Sequence, residues 1–372
     1  MTSSAFALRQ LESGLLAPVI GFSVDRWGPR KVILWGVLSA GLGMVMMSAI
    51  SGIWTFYFAV LVVSLGSSGA SHGVSWAVVV TKWFHRLRGR ALGFAFMGPV
   101  LGGPFVVTMV YMEEAMGWRM TLLILGVLLW LVGIPLAMIA RSRPQLYGYL
   151  PDGDVTPEKE IEEVADETLY GLNASEAVRT RAFWFLSLLF AGQFIGLSGL
   201  MVHMIPLLED FGYSSATSAT ILGLVFLFSG IGRLGSGFLA DAVDHRIVLA
   251  ALLAIQVLAI LFLTVIGSGS YWQLIVFALF FGIGFGGTIP LRPILVIRIF
   301  GDRALGAIQG LMHGGAISAG MVGPILYGWI FDATSEYTAA LYISAAIALV
   351  VIPLAFLMDS RRQGGTVTTV NS

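Results

Sequence analysis

The 372-residue chain has no cysteine, which excludes disulfides, thiolate metal sites and a cysteine nucleophile. Charge is scarce as well: 11% of residues are Asp, Glu, Lys or Arg, against about 25% in soluble domains. The 21 basic and 21 acidic residues cancel, so no strongly basic face is available for nucleic acid, and none is expected as a partner. Five scattered histidines show no metal spacing, and no metal or other cofactor is expected. Met1-Thr-Ser-Ser has no basic n-region, so a cleavable signal peptide is not expected.

What remains is apolar. Hydrophobic residues make up 57% of the chain, and mean hydropathy is +0.88. A soluble fold of this length has too little interior for that much apolar surface, so the expected solvent is the lipid bilayer. A bilayer core takes about 20 apolar residues per helix. Eleven candidate spans follow, at 3–23, 32–50, 54–79, 91–111, 120–140, 182–207, 216–240, 247–267, 272–297, 304–331 and 338–358. Internal Gly and Pro are compatible with helix here, because neighbouring helices re-satisfy the backbone. The spacings Gly98–Gly102 and Gly232–Ser236 suit close helix packing.

Loop charge sets the expected orientation. Seventeen Lys and Arg fall on one side, only Arg119 on the other, and Arg9, Arg233 and Arg292 lie inside spans. The positive-inside rule then places the basic side, the linker and the C-terminus in the cytoplasm. Asn173-Ala-Ser175, a glycosylation sequon, should stay bare there. The expected organisation is a bundle of five spans over 1–140, a cytoplasmic acidic linker over 141–181, six spans over 182–360 and a tail over 361–372.

A short charged turn, Gly21-Phe-Ser-Val-Asp25-Arg26-Trp-Gly28-Pro-Arg30-Lys31, separates the first two spans. Gly21, Phe22, Asp25 and Arg30 recur as Gly237, Phe238, Asp241 and Arg246, each 216 residues on. The halves are thus expected to be related. Asp241 lies 59 residues after Ala182, but Asp25 has only 24 residues before it. The difference, 35, is about one helix plus a loop, so the first half is expected to lack its first span, with the N-terminus outside.

The turn resembles the signature loop between the second and third helices of the major facilitator superfamily. That resemblance implies two helical bundles of six, here five plus six, rocking about a midplane site. Trp83-Phe-His-Arg-Leu-Arg88-Gly89-Arg90-Ala-Leu-Gly93-Phe-Ala-Phe-Met-Gly98 resembles the start of the fifth helix in monocarboxylate and oxalate/formate transporters. Glu176-Ala-Val-Arg-Thr-Arg181-Ala-Phe-Trp184, and Phe300-Gly301 followed by Leu305-Gly306, fit the same group.

A charge inside a span costs about 2.5–3.5 kcal/mol on insertion scales, so each one needs a reason. Arg233 lies among small residues, and its planar fork can grip a carboxylate bidentately. By the resemblance it stands where an eighth-helix arginine binds the anion; the group's nearby aspartate is Ser229 here. The bland alternative is snorkelling to the basic surface. Arg292, between Pro290 and Pro293, is a second candidate; there the prolines are expected to interrupt the helix and let it line a cavity. Arg9 and Glu12 stand three apart on one helix face, as an anion and proton pair or as a structural ion pair. Gly282 to Gly287 matches Gly-x-Gly-x-x-Gly, but no strand, βαβ unit or acidic partner supports a dinucleotide site. His72, His203, His313, Gln193 and Gln309 are polar positions within spans that can serve substrate or interhelical packing, and Trp76, Phe105 and Tyr327 can line a cavity or face lipid.

The signature turns read as latches: Gly21, Asp25, Arg26, Gly28 and Arg30 in the first half, Asp241 and Arg246 in the second, the latter expected to be weaker because Asp244 dilutes its charge. The expected function is secondary transport of a small organic anion, monocarboxylate-like, by a monomer in the cell membrane, coupled to protons or by exchange. The alternatives are an exporter of hydrophobic drug-like compounds and a non-transporting membrane sensor or scaffold. An enzyme is not expected, because no span has nucleophile–base or metal spacing.

Overall fold

A computed structural model describes residues 2–70, 73–153, 171–267 and 269–358; for 2–11, 103, 104, 107 and 146 only the backbone is described. The described chain is almost entirely helical. The first half comprises α1 (Thr2–Trp27), α2 (Pro29–Ser48), α3 (Ile53–Ala70), α4 (Ser75–Trp83), α5 (Arg88–Ala95) and α6 (Gly102–Ile139). After the linker helix α7 (Ala174–Val178) come α8 (Arg181–Asp210), α9 (Ser215–Ala240), α10 (His245–Leu263), α11 (Tyr271–Phe300), α12 (Leu305–Gly320), α13 (Val322–Thr334), α14 (Thr338–Val351) and α15 (Leu354–Leu357).

Local chemistry marks the helix ends. Gly28, at φ 85°, turns the chain between α1 and α2 in a conformation that favours glycine, and Pro29 then opens α2 without wasting a donor. In the second half the starts are capped by side-chain oxygens. Asn173 and Glu176 form a reciprocal capping box on α7. Thr180, Ser214 and Asp244 accept from the amides of Phe183, Thr217 and Arg246, respectively.

Nine segments among the described residues are long and apolar enough to cross a membrane. Several expected spans are broken within. The fourth divides into α5, a 3-10 turn at Gly98–Leu101 and the start of α6, and α6 itself kinks at Gly117, whose φ is 79°. Met321 separates α12 from α13. Conversely, Pro290 and Pro293 do not interrupt α11, which runs unbroken from Tyr271 to Phe300. The discontinuous helix expected there is not formed. Prolines are tolerated inside a membrane helix because the bundle around it re-satisfies the backbone, and α9 packs closely here: a Cβ on Gly286 would lie 2.0 Å from the Ser229 oxygen.

Glycine sets how closely the helices approach. A Cβ on Gly36 would lie 2.4 Å from the Ala70 nitrogen, and one on Gly232 would lie 2.3 Å from the Ile283 oxygen. The expected close packing at Gly232 is therefore present, but Gly98 and Gly102 face open space and bring no helix close. Burial ranks the helices: 61% of the apolar window in α11 is buried, against 17% in α6. α11 is central and α6 peripheral, and α11 supplies the site below.

Candidate functional site

A cavity of about 300 Å³ lies between the halves. Gly73 and Val74 before α4 and Phe96 after α5 form one wall; Phe190 and Phe194 of α8 and Phe285 and Arg292 of α11 form the other; Gln309 and His313 of α12 complete it. Arg292 is the one Lys or Arg on its described wall, and no Asp or Glu lines it. The guanidinium carbon lies 4.8 Å from the Phe190 ring centre and 5.7 Å from that of Phe194. Its Nη2 donates to Gln193 Oε1 at 3.3 Å, and its Nε is buried without a hydrogen-bond partner.

Gln193 is fixed from behind. Its Nε2 donates to Gln256 Oε1 at 3.1 Å and to Thr288 Oγ1 at 2.9 Å, so its carbonyl is directed at Arg292. Bringing a guanidinium out of water costs several kcal/mol. Aromatic faces return about 0.5–2 kcal/mol each, and one neutral amide adds about 1.5–3 kcal/mol. Neither supplies negative charge, so the wall keeps a positive charge that an entering anion would neutralise. Gln309 Nε2 is a second buried donor with no hydrogen-bond partner.

Arg233 is placed differently. It retains only 2% exposure, its Nε and Nη1 have no hydrogen-bond partner, and its guanidinium carbon is 5.9 Å from the Phe285 ring centre. It is not on the cavity wall; Phe285 is. Snorkelling is excluded by its burial. Glu12 is half-buried in α1, whereas the Arg9 side chain lies outside the described residues, and so does His72. His203 packs between helices, its ring nitrogens 3.1 Å from the Pro324 oxygen and 3.4 Å from the Tyr337 hydroxyl. Tyr327 is buried and its hydroxyl accepts from Ser344, Trp76 Nε1 donates to the Ala70 carbonyl, and Phe105 is exposed.

At the end where the basic loops gather, the signature turns hold the halves together. Asp25 accepts from the amides of Gly306 and Ala307 at 3.0 and 2.7 Å, at the start of α12. Asp241 accepts from the amides of Gly89 and Arg90 at 2.7 and 3.1 Å, at the start of α5. Each carboxylate thus caps a helix of the other half, where exposed amides and the helix dipole favour negative charge. Glycine permits the approach: a Cβ on Gly21 would lie 2.2 Å from the Gly306 oxygen, and one on Gly237 would lie 2.5 Å from the Gly89 oxygen.

The second turn is not the poorer copy. Asp244 is occupied in capping α10, and Asp241 has an added ion pair with Arg90 at 3.5 Å. Arg26 is exposed, Arg30 and Arg246 are half-buried, and the described hydrogen bonds across the halves run through the aspartates. The receiving sites were missed in the sequence, although a signal exists: Gly89 and Gly93 recur as Gly306 and Gly310, 217 residues on.

An all-helical membrane chain, with halves joined by duplicated caps around a cationic cavity, has the build of a transporter. The profile of the Major Facilitator Superfamily matches residues 1–267 and, again, 194–372. The chain belongs to the major facilitator superfamily, whose members are multi-pass membrane transporters. Similar sequences include the MFS transporter asaE of Aspergillus flavus, 26% identical over 87% of this chain and 69% of that protein. Monocarboxylate transporter 2 of Rattus norvegicus is also 26% identical, over 89% of this chain and 69% of its own. Among solved structures, the Escherichia coli fucose:proton symporter FucP superposes with a TM-score of 0.70 at 15% identity, covering 96% of this chain and 90% of that one. That likeness concerns the fold.

Proposed function

We propose that the chain transports a small organic anion of the monocarboxylate type, with Arg292 as the group that meets the carboxylate. The observation behind this reading is the Arg292 guanidinium, set on a cavity wall without an acid and with a buried Nε that lacks a partner. A carboxylate can accept from two guanidinium nitrogens at once, and the aromatic walls suit a short apolar tail. Gln309 supplies a second donor. Arg233 acts from behind Phe285 as a fixed positive charge, which favours anions in the cavity without touching them. Arg9, one turn from Glu12, remains the candidate second anion contact, and Glu12 the candidate proton site.

Transport proceeds by alternating access. Asp25 and Asp241 latch the basic end when it is closed, and their release lets the cavity open there. The basic end is cytoplasmic by the distribution of Lys and Arg. The protein works as a monomer in the cell membrane, by proton symport or by exchange.

Counterflow in proteoliposomes with labelled lactate, pyruvate, formate or oxalate tests the reading. Uptake of at least one monocarboxylate is expected, with loss in Arg292→Gln and a milder defect in Arg233→Gln. Glu12→Gln should abolish pH-driven uptake but spare exchange if Glu12 carries the proton. Uptake undiminished in Arg292→Gln removes the binding role, and transport of apolar neutral compounds alone would favour the hydrophobic-compound exporter.

A further inference from the structure

The described wall of the central cavity is polar toward one end and apolar toward the other. α8 starts, α11 ends and α12 starts at the basic end, so position along each helix gives depth. The donors that lack a partner, Arg292 Nε and Gln309 Nε2, belong to residues nearer that end. Farther out the wall is formed by Phe194 of α8, Phe285 and Ile289 of α11, and Ala316 of α12. Phe285 stands seven residues from Arg292, about 10 Å along the helix, and Ala316 stands equally far from Gln309. Two helices thus present the same gradient to one space.

The apolar end is braced and roomy. The Phe226 ring packs edge-on against Phe285, with ring centres 6.5 Å apart, which holds the wall from behind. Ala316 ends at its Cβ and leaves the space before it unfilled. The volume points the same way. About 300 Å³ reaches the range of pockets that enclose drug-sized ligands, about 300–1,000 Å³. A three-carbon acid held at Arg292 leaves most of that volume empty. The four apolar side chains farther out offer water no hydrogen bond, so the unfilled part gains little from either occupant.

We infer that the preferred substrate is an arylalkyl monocarboxylate. Its carboxylate meets Arg292 and Gln309, its ring lies against Phe285, Ile289 and Ala316, and a short carbon chain spans the distance between them. This rests on the reading of Arg292 as the carboxylate contact and adds what the rest of the cavity selects. Burial of the ring against an aromatic wall should make binding about ten- to a hundredfold tighter than that of the same acid without the ring.

Three probes separate the contributions: 3-phenylpropionate has charge and ring, propionate has charge alone, and 3-phenylpropionamide has ring alone. Each is titrated by calorimetry into the full chain in phosphatidylcholine nanodiscs, with the heat of empty nanodiscs subtracted. 3-Phenylpropionate should bind about ten- to a hundredfold tighter than propionate, and the amide should bind weakest. Arg292→Gln should remove the advantage of the acid over the amide. Ile289→Phe and Ala316→Val occupy the outer end, so each should shrink the ratio between the two acids. Equal binding of the two acids, both dependent on Arg292, overturns the aryl preference and leaves the anion reading standing. Equal binding of 3-phenylpropionate and its amide, or no saturable binding of either acid, overturns both. A ratio that survives both filling changes places the ring elsewhere and overturns the inference; should those variants fold poorly, the comparison of the three probes in the parent decides it.

Discussion

Removing the Asp25 carboxylate should unlatch the basic end. In the closed arrangement its two oxygens accept from the Gly306 and Ala307 amides at 3.0 and 2.7 Å, across the two halves. Hydrogen bonds to a charged group contribute about 1.5–3 kcal/mol each. Gly306 and Ala307 are buried in the closed arrangement, so the freed amides gain water only on opening, and Asp25→Ala should weaken closure by about 3–6 kcal/mol, or more than a hundredfold. Asp241→Ala removes the equivalent pair at Gly89 and Arg90, and the two losses should add because the sites share no partner. The chain has no cysteine, so spin labels can be attached to cysteines introduced at Trp27 and Arg303 with no background to remove. Both positions are exposed, on opposite sides of the latch. Pulsed electron–electron resonance should show one short separation in the parent, an added longer population in Asp25→Ala and a dominant one in the double variant. An unchanged distribution in the double variant would refute the latch.

Other outcomes follow from the same contacts. Gly237→Val places a Cβ 2.5 Å from the Gly89 oxygen, so it should hold the halves apart and reduce transport by tenfold or more while insertion into the membrane persists; normal uptake would show the approach to be unnecessary. Gln193→Leu leaves Gln256 and Thr288 without their donor and Arg292 without its acceptor, and should lower stability by about 1–3 kcal/mol, read as a lower Tm. At Asp152, burial pushes the carboxyl pKa up, but the amides of Arg86, His85 and Leu87 together outweigh it and hold the group below the usual carboxylate range. A depressed folded-state pKa means the stabilisation is present above the unfolded value, about 3.9, and is lost as pH falls through the lower folded one. The gap in Tm between the parent and Asp152→Asn should therefore narrow as pH drops below about 4; a gap independent of pH would contradict it.

Much of this architecture is legible in the sequence because lipid simplifies the code. Apolar runs of about 20 residues mark spans, and the 216-residue repeat of Asp25 and Asp241 pairs the halves. The breaks inside spans are harder to read. Pro290 and Pro293 look like breakers but sit in an intact α11, whereas the Gly98–Leu101 segment does turn. A helix in a bundle answers to its neighbours as well as to its own residues. The site shows the same limit. Arg233 and Arg292 are equally anomalous as intramembrane charges, and sequence favours Arg233 because small residues surround it. Packing places Arg233 behind Phe285 and Arg292 on the wall, a distinction that depends on which way each helix face points. The partners of the aspartates are backbone amides, which carry no side-chain signature; only the paired glycines at 89 and 306 record them.

The central claim is that the cavity selects negative charge through Arg292. The direct measurement is competition in counterflow of labelled pyruvate, with unlabelled lactate compared against lactamide, its neutral amide of nearly the same shape. Lactate should compete and lactamide should not, and Arg292→Gln should abolish the difference along with most of the uptake. Equal competition by the two, or selectivity that persists in Arg292→Gln, would contradict the account.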